Sequence, residues 1–245
     1  MTVAGQLPDV LLLDLDDTIV SFSAGKPNFW SHAYARHASE EQRAHMSAEA
    51  FVAAVNGVAG WYWADDARAH RGRLDLVRAR REVAAAAFER LGLAASACSD
   101  AIADDFTHAK EEAVAPFDGA IEVLERLQAL GQRMGLLTNG GSEFQRRKLA
   151  RYDLERFFEV ILVEGERGVG KPDPSVFEDA LSSMGVSADR AWMVGDNLTA
   201  DIAAAQQCGI HGVWHDAGRT GLPDNAPCQP DRIIEHIAEL LPDAQ

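Results

Sequence analysis

The chain has 245 residues, 47% of them hydrophobic and 25% charged, with 20 Gly and 9 Pro, ordinary values that exclude disorder, collagen-like repetition and low complexity. That length makes one large domain or a core plus a smaller unit, with enough apolar surface to form a core without staples. Thirty-eight acidic against 23 basic residues give a net charge of −15, which argues against a nucleic-acid-coating surface because phosphate backbones are bound by basic faces. Most of the excess reads as solvated, self-repelling surface. Cys98, Cys208 and Cys228 form no CxxC pair, and an odd, sparse count fits a reducing compartment better than a disulfide framework. The start, Met1 to Pro8, lacks a basic segment followed by an apolar one, and Asp14 interrupts the run Val10–Leu13. Neither a signal peptide nor a membrane span is expected there, and the expectation is a soluble, cytoplasmic protein with no membrane partner.

Val10–Leu13 is a short apolar run of the kind that forms a strand buried on both faces, and it ends in Asp14-Leu15-Asp16-Asp17-Thr18. A loop of small residues with a Gly-Lys-Pro turn signal covers Ser21 to Lys26. From about Asn28 to Pro116 the chain is alanine-rich and reads as helical, with Leu74, Val77, Phe88 and Leu91 at helical spacing and Gly92 as a stop. Residues 118–130 then make an amphipathic helix with Ile121, Leu124 and Leu127 on one stripe, Val123 and Leu130 flanking, and Gly131 closing it. Met134–Leu137 is a second strand ending in Thr138-Asn139-Gly140-Gly141, a helix follows over about 142–151, and Val160–Val163 is a third strand. Pro174 opens a helix to about Met184, with Pro in its first turn. Ala191–Val194 is a fourth strand ending in Gly195-Asp196-Asn197, residues 199–207 are helical to a stop at Gly209, Gly212–His215 is a fifth strand, and a final helix is expected over about 231–240.

Apolar strands alternating with amphipathic helices predict an α/β fold, a doubly wound parallel sheet covered on both faces. More than a hundred residues separate Thr18 from Met134, far beyond a normal crossover, so the helical stretch reads as an inserted domain.

Polar residues at strand C-termini are where such sheets hold ligands. Asp14 and Asp16 alternate along extended chain and are expected on one side of it; paired carboxylates do not easily both ionise, so one tends to keep a proton and act as acid. Asp is also common at turns. Thr138-Asn139-Gly140 offers a hydroxyl and backbone N–H groups to an anion at a helix start, although a capping turn has the same composition. Lys171, in Gly170-Lys171-Pro172-Asp173-Pro174, is a cation held by turn residues, or simply a solvated lysine. Asp196, Asn197 and Asp201 surround a strand-to-helix turn and also suit a cap and first-turn charge. Jointly they are more specific: four carboxylates, a Thr and a Lys in order, each after a buried strand, all able to converge on one edge. Carboxylates without His or Cys suit Mg²⁺ rather than zinc.

This order of motifs resembles the haloacid dehalogenase superfamily over about residues 10–216: Asp14-x-Asp16-x-Thr18, Thr138-Asn139-Gly140, Lys171 in its Gly-Lys-Pro turn, and Gly195-Asp196 through Asp201. The resemblance implies a Rossmann-like core at 1–20 and 116–245 with a helical cap at 21–115, and a phosphatase acting on a small phosphorylated metabolite. By the same resemblance Asp14 is the nucleophile, Asp16 the general acid and base, and Lys171 the neutralising cation. Thr138, Asn139 and Gly140 would bind substrate, and Mg²⁺ would be held by Asp14, the carbonyl of Asp16, and Asp196. Thr18, Asn197 and Asp201 would support these from behind. True dehalogenases of the superfamily lack the second aspartate, whereas Asp16 and Asp196 are both here. A phosphomutase that returns the phosphoryl group to a sugar hydroxyl is the alternative, and a non-catalytic binding protein would be expected to have lost Asp14 or Asp16. A phosphonatase would want a cap lysine, and only Lys26 and Lys110 lie between the first two motifs.

Within residues 68–81 of the insert, Arg68, Arg71, Arg73, Arg78, Arg80 and Arg81 stand against Asp75 alone. They read either as partners of acidic surface neighbours or as forks for a carboxylate or second phosphate on the substrate. Trp30, Trp61 and Trp63 are candidates for core or for a sugar or base pocket. None of the eight histidines is assigned to catalysis, and a monomer or a homodimer fits equally.

Overall fold

The structure is a computed structural model that describes residues 7–22 and 28–242. It divides into two compact units, one formed by Met1–Ala24 with Ala115–Gln245 and the other by Gly25–Val114. The turn signal at Gly25-Lys26-Pro27, Lys26 itself and the first six residues lie outside the described residues.

In the first unit, β1 (Val10–Leu13) is wholly buried, as an uninterrupted aliphatic run in the middle of a parallel sheet should be. The chain then turns through Asp14–Ile19 into a two-residue strand β2 (Val20–Ser21). The described residues of the second unit form six helices: α1 (Phe29–His37), α2 (Glu40–His45), α3 (Ala48–Trp63), α4 (Asp66–Leu74), α5 (Leu76–Arg90) and α6 (Ala97–Glu112). Side chains of Asn28, Ser39, Ser47, Asp65, Asp75 and Ser96 cap them in that order, satisfying N–H groups that the first turn leaves open. This unit has its own core, built on Tyr34, Phe51, Val83, Phe88 and Ile102, with Phe51 packed against both Tyr34 and Phe88.

Returning to the first unit, β3 (Ala115–Pro116) pairs antiparallel with β2, Val20 opposite Pro116. There follow α7 (Ala120–Ala129), β4 (Arg133–Thr138), α8 (Ser142–Arg151), β5 (Val160–Val163), α9 (Glu164–Arg167), α10 (Pro174–Met184), β6 (Ala191–Gly195), a π-helical turn at Leu198–Ala203 leading into α11 (Ala204–Gln207), β7 (His211–His215) and β8 (Arg232–Ile234). The six-stranded sheet has the order β5-β4-β1-β6-β7-β8, every neighbour parallel. The α/β architecture read from the alternation of strands and helices is therefore the one observed. Leu130, expected beside the apolar stripe of α7, is 58% exposed beyond the helix end.

The terminal segment differs from the expected helix over 231–240. Arg232-Ile233-Ile234 instead extends the sheet, with Trp214 opposite Ile233 and His215 opposite Ile234, and only Ile237–Leu240 forms a short 3₁₀ turn. Pairing there satisfies the outer backbone edge of β7, and the residues alternate as a strand does, Ile233 outward and Ile234 buried. Among the described residues no helix is long and apolar enough to cross a membrane.

Candidate active site at the C-terminal edge of the sheet

Register sets the site. Leu13, the last residue of β1, lies opposite Leu136 of β4 and Val194 of β6, so Asp14, Thr138 and Asp196 emerge from three adjacent strands at one edge. Asp14 is tied there by its own N–H, which donates to the Val194 carbonyl at 2.9 Å. The start of α9, directly after β5, and the loop before α10 bring Glu164 and Lys171 to the same edge.

Lys171 is the centre of the charge arrangement. Only 3% exposed, it places Nζ 2.6 Å from Asp14 Oδ1 and 2.6 Å from Asp201 Oδ1. Burial works against its charge, but the two carboxylates outweigh it and hold its pKa well above the ordinary lysine range. Asp201, 1% exposed, is fixed in turn by the Asn197 N–H, which donates to its Oδ2 at 3.0 Å. The close approach depends on Gly195, since a Cβ there would collide with the Asp201 carboxylate. Asn197 caps the turn, its Oδ1 accepting from the N–H groups of Thr199 and Ala200, and the Asp196 carbonyl accepts from the Trp214 indole at 2.8 Å.

Oxygen atoms of Asp14, Asp196 and Asp201 lie within 4.8 Å of one another. Burial, opposed by Lys171 and reinforced by Asp201, pushes the Asp14 carboxyl up to about 7. Burial and then the charges of Asp14, Asp201 and Asp17 push half-buried Asp196 up to about 8. Carboxylates so crowded take either protons or a cation, and an all-oxygen set suits a hard divalent ion. Both Asp201 oxygens are already approached, Oδ1 by Lys171 and Oδ2 by the Asn197 N–H, whereas Lys171 reaches only Oδ1 of Asp14.

Asp16 follows on the same turn, near enough for its charge to raise the Asp14 carboxyl, and is held by partners of its own. Strand geometry ends at Leu13, and Asp17 adopts a left-handed φ of 59°, so strict alternation no longer governs the turn. The Asp16 carboxylate receives Lys148 Nζ at 2.6 Å on both oxygens and Gln145 Nε2 at 3.0 Å on Oδ2. It acts on Asp14 more weakly than burial, Lys171 or Asp201 does.

Thr138, 3% exposed, accepts from Gln145 Nε2 at 3.0 Å, which leaves its own hydroxyl proton to donate elsewhere. The other two expected anion-binding groups are already engaged. Asn139 clasps the backbone of Lys171, Nδ2 donating to its carbonyl at 2.6 Å and Oδ1 accepting from its N–H at 2.8 Å. The Gly140 N–H donates to buried Glu164 at 2.8 Å. Asn139 thus positions Lys171, and a Cβ at Gly170 would meet Asn139 Oδ1 at 2.5 Å. Thr18 is fully buried, and its hydroxyl has no hydrogen-bond partner among the described residues.

Gln145, Lys148 and Glu164 were not identified from the sequence. Their signal was available only in part: Gln145 and Lys148 stand at i and i+3, on one face of a helix, and that face also carries buried Leu149.

In the second unit most of the candidate arginines have local partners. Arg68 donates to the Trp61 carbonyl and lies over its ring, Arg78 pairs with Glu82, and Arg81 with Asp104. Arg80 is buried against Phe106, and burial, opposed by Glu111, lowers its pKa to about 10. Trp30 stacks on Phe106, whereas Trp61 is 59% exposed.

A model of the haloacid dehalogenase-like hydrolase family matches residues 8–209. Among curated relatives, the phosphoserine phosphatase of Thermus thermophilus is 39% identical over 111 residues, 45% of this chain and 44% of that protein. A glyceraldehyde 3-phosphate phosphatase of Pyrococcus abyssi is 41% identical over 101 residues, 41% of this chain and 42% of that one. The chain thus spans about half the length of the curated relatives it matches. Among solved structures, the HAD hydrolase YfnB of Bacillus subtilis, bound to magnesium, has a TM-score of 0.69 at 22% identity, covering 96% of this chain and 97% of that one. A 2-haloacid dehalogenase of Pseudomonas syringae has a TM-score of 0.60 at 26% identity, covering 96% of each.

Proposed function

We propose that this chain, which belongs to the haloacid dehalogenase-like hydrolase family, hydrolyses a small phosphomonoester at the edge formed by β1, β4 and β6. The observation that carries this reading is the Lys171 ammonium locked between Asp14 and Asp201, which reaches one oxygen of a buried carboxylate while supplying positive charge for a phosphoryl group. In it, the free oxygen of Asp14 attacks phosphorus, the ester P–O bond breaks, and the departing oxygen takes a proton from Asp16. Water then attacks the phosphorus of the aspartyl-phosphate, giving its proton to Asp16 and regenerating Asp14. Thr138 donates its hydroxyl to a non-transferring oxygen, and Lys171 offsets the phosphoryl charge. Asp14 and Asp196 side chains, with the Asp16 carbonyl, would hold Mg²⁺, whose contribution is to polarise the phosphoryl oxygens. Gly25–Val114 is assigned as the cap and the remainder as the catalytic core. The phosphatase names of the curated relatives support this class. The dehalogenase likeness in fold does not compete with it, because Asp16 and Asp196 provide an acid and a ligand that halide displacement has no use for.

The direct test is hydrolysis of 4-nitrophenyl phosphate. Release of nitrophenol is expected with Mg²⁺, loss on chelation and recovery on adding Mg²⁺ back; undiminished turnover in chelator would refute the metal assignment.

The raised carboxyls give a second test. Asp14 and Asp196 have folded pKa values above the ordinary 3.8, so the metal-free fold binds protons that the unfolded chain has released. Its stability therefore falls as pH rises from about 4 through about 8. A cation on the same carboxylates should reverse that loss, so Mg²⁺ should raise the melting temperature more at pH 8 than at pH 5. At a hundredfold excess over its dissociation constant the gain is about 2.7 kcal/mol, roughly 5–10 °C for a chain of this size. Equal shifts at both pH values in thermal unfolding would count against these ligands.

A further inference from the structure

Half the residues of α8 are charged, and a Gln and a Lys on such a helix ordinarily face water. Here both are on the inward face: Gln145 is 3% exposed and Lys148 8%. Burying a lysine is costly unless its ammonium is paired, and its ion partner is Asp16, approached at 2.6 Å on each oxygen. Gln145 reaches the same carboxylate at 3.0 Å and the Thr138 hydroxyl at 3.0 Å, and also donates to the Asn139 carbonyl. One helix turn thus joins the residue assigned to proton transfer with the one assigned to hold the phosphoryl group. Lys148 is braced from another side as well, its Nζ lying 4.9 Å from the Phe22 ring centroid.

Resting on the phosphatase reading above, we propose that Lys148 and Gln145 are positioning residues for the proton-transfer step: together they fix where the Asp16 carboxyl sits relative to Asp14, and Gln145 keeps Thr138 in step with it. Asp16 reaches this turn through a loop rather than a strand, and its backbone alone does not fix its side chain. An acid misplaced by an ångström forfeits much of its effect. The two residues act through Asp16, which touches the leaving oxygen, and not on substrate themselves.

Leaving-group dependence separates this role from a merely structural one. An alkyl phosphate leaves as a strongly basic alkoxide and needs the proton, whereas 4-nitrophenolate departs as a stable anion without it. Lys148→Met is expected to lower kcat on a simple alkyl phosphate by roughly 10²-fold, within the usual span of general acid catalysis, and on 4-nitrophenyl phosphate by less than about tenfold. Lys148→Arg, which keeps the charged donor, should recover part of the alkyl activity, and Gln145→Ala should show the same selectivity more weakly. In an Asp16→Asn background, Lys148→Met should add almost nothing, because the group it positions is gone. If Lys148→Met fails to fold, Gln145→Ala alone and over Asp16→Asn carries the same comparison. Equal losses on both esters, or a full additional loss over Asp16→Asn, would overturn the proposal while leaving the phosphatase reading intact. A wild-type protein inert on both esters would overturn both.

Discussion

Asp14→Asn is expected to lower phosphomonoester turnover by roughly 10⁴–10⁶-fold, the scale on which removing a nucleophile acts, while leaving the fold at least as stable as before. The two halves of that result have separate causes. Asparagine preserves the volume, and its Oδ1 can still accept from Lys171 Nζ, which stands 2.6 Å from Asp14 Oδ1. Burial pushes the Asp14 carboxyl up to about 7, so above that pH the wild type carries a charge that its surroundings disfavour. The amide carries none, and metal-free Asp14→Asn should therefore melt no lower than wild type at pH 8. What the amide cannot do is attack phosphorus. Acid-quenched wild-type protein incubated with labelled substrate should carry a covalent phosphoryl group that the variant lacks. If the variant kept more than about a hundredth of the activity, Asp14 would not be the nucleophile.

The fold was legible because its two central strands are uninterrupted apolar runs. Val10–Leu13 and Ala191–Val194 leave no alternative to burial, and the turn residues after them are the ones that converge. The last strand was not legible: Ile234, Ile237 and Leu240 repeat at three-residue intervals, which imitates a helix, and only the open edge of β7 decides that Arg232–Ile234 pairs as a strand. In the site, Asp14, Thr138 and Asp196 can be found from their place after strands, and Lys171 and Asp201 from the turn motifs that carry them. The division of labour among them cannot, because it depends on contacts between distant loops. Asn139 reads as an anion binder by composition, yet its amide is closed onto the backbone of Lys171, 32 positions away. Lys148 is hidden for the opposite reason: nothing local distinguishes a lysine buried against Asp16 from any solvated one.

Lys171→Met should be the most destabilising single change in the site. Methionine fills a similar volume but has no charge, and its introduction would leave Asp14, 7% exposed, and Asp201, 1% exposed, facing each other with no ammonium between them. Removing one member of a buried ion pair costs about 3–5 kcal/mol, against a total stability of about 5–15 kcal/mol for a native fold. At roughly 2–4 °C per kcal/mol for a chain of this size, the melting temperature should fall by about 6–20 °C. The loss has a pH signature. Lys171 opposes the upward shift of Asp14, so without it the folded carboxyl holds its proton to still higher pH while the unfolded value is unchanged. The folded state then binds the excess proton over a wider range, and stability goes on declining above about pH 7, where the wild-type loss from Asp14 levels off. The deficit relative to wild type should accordingly be small at pH 5 and large at pH 8, measured in chelator so that no cation substitutes for the lost ammonium. Asp14→Asn/Lys171→Met should recover part of the loss by removing one of the two facing charges. A Lys171→Met protein as stable as wild type at pH 8 would mean that the ammonium is not what holds these two carboxylates together.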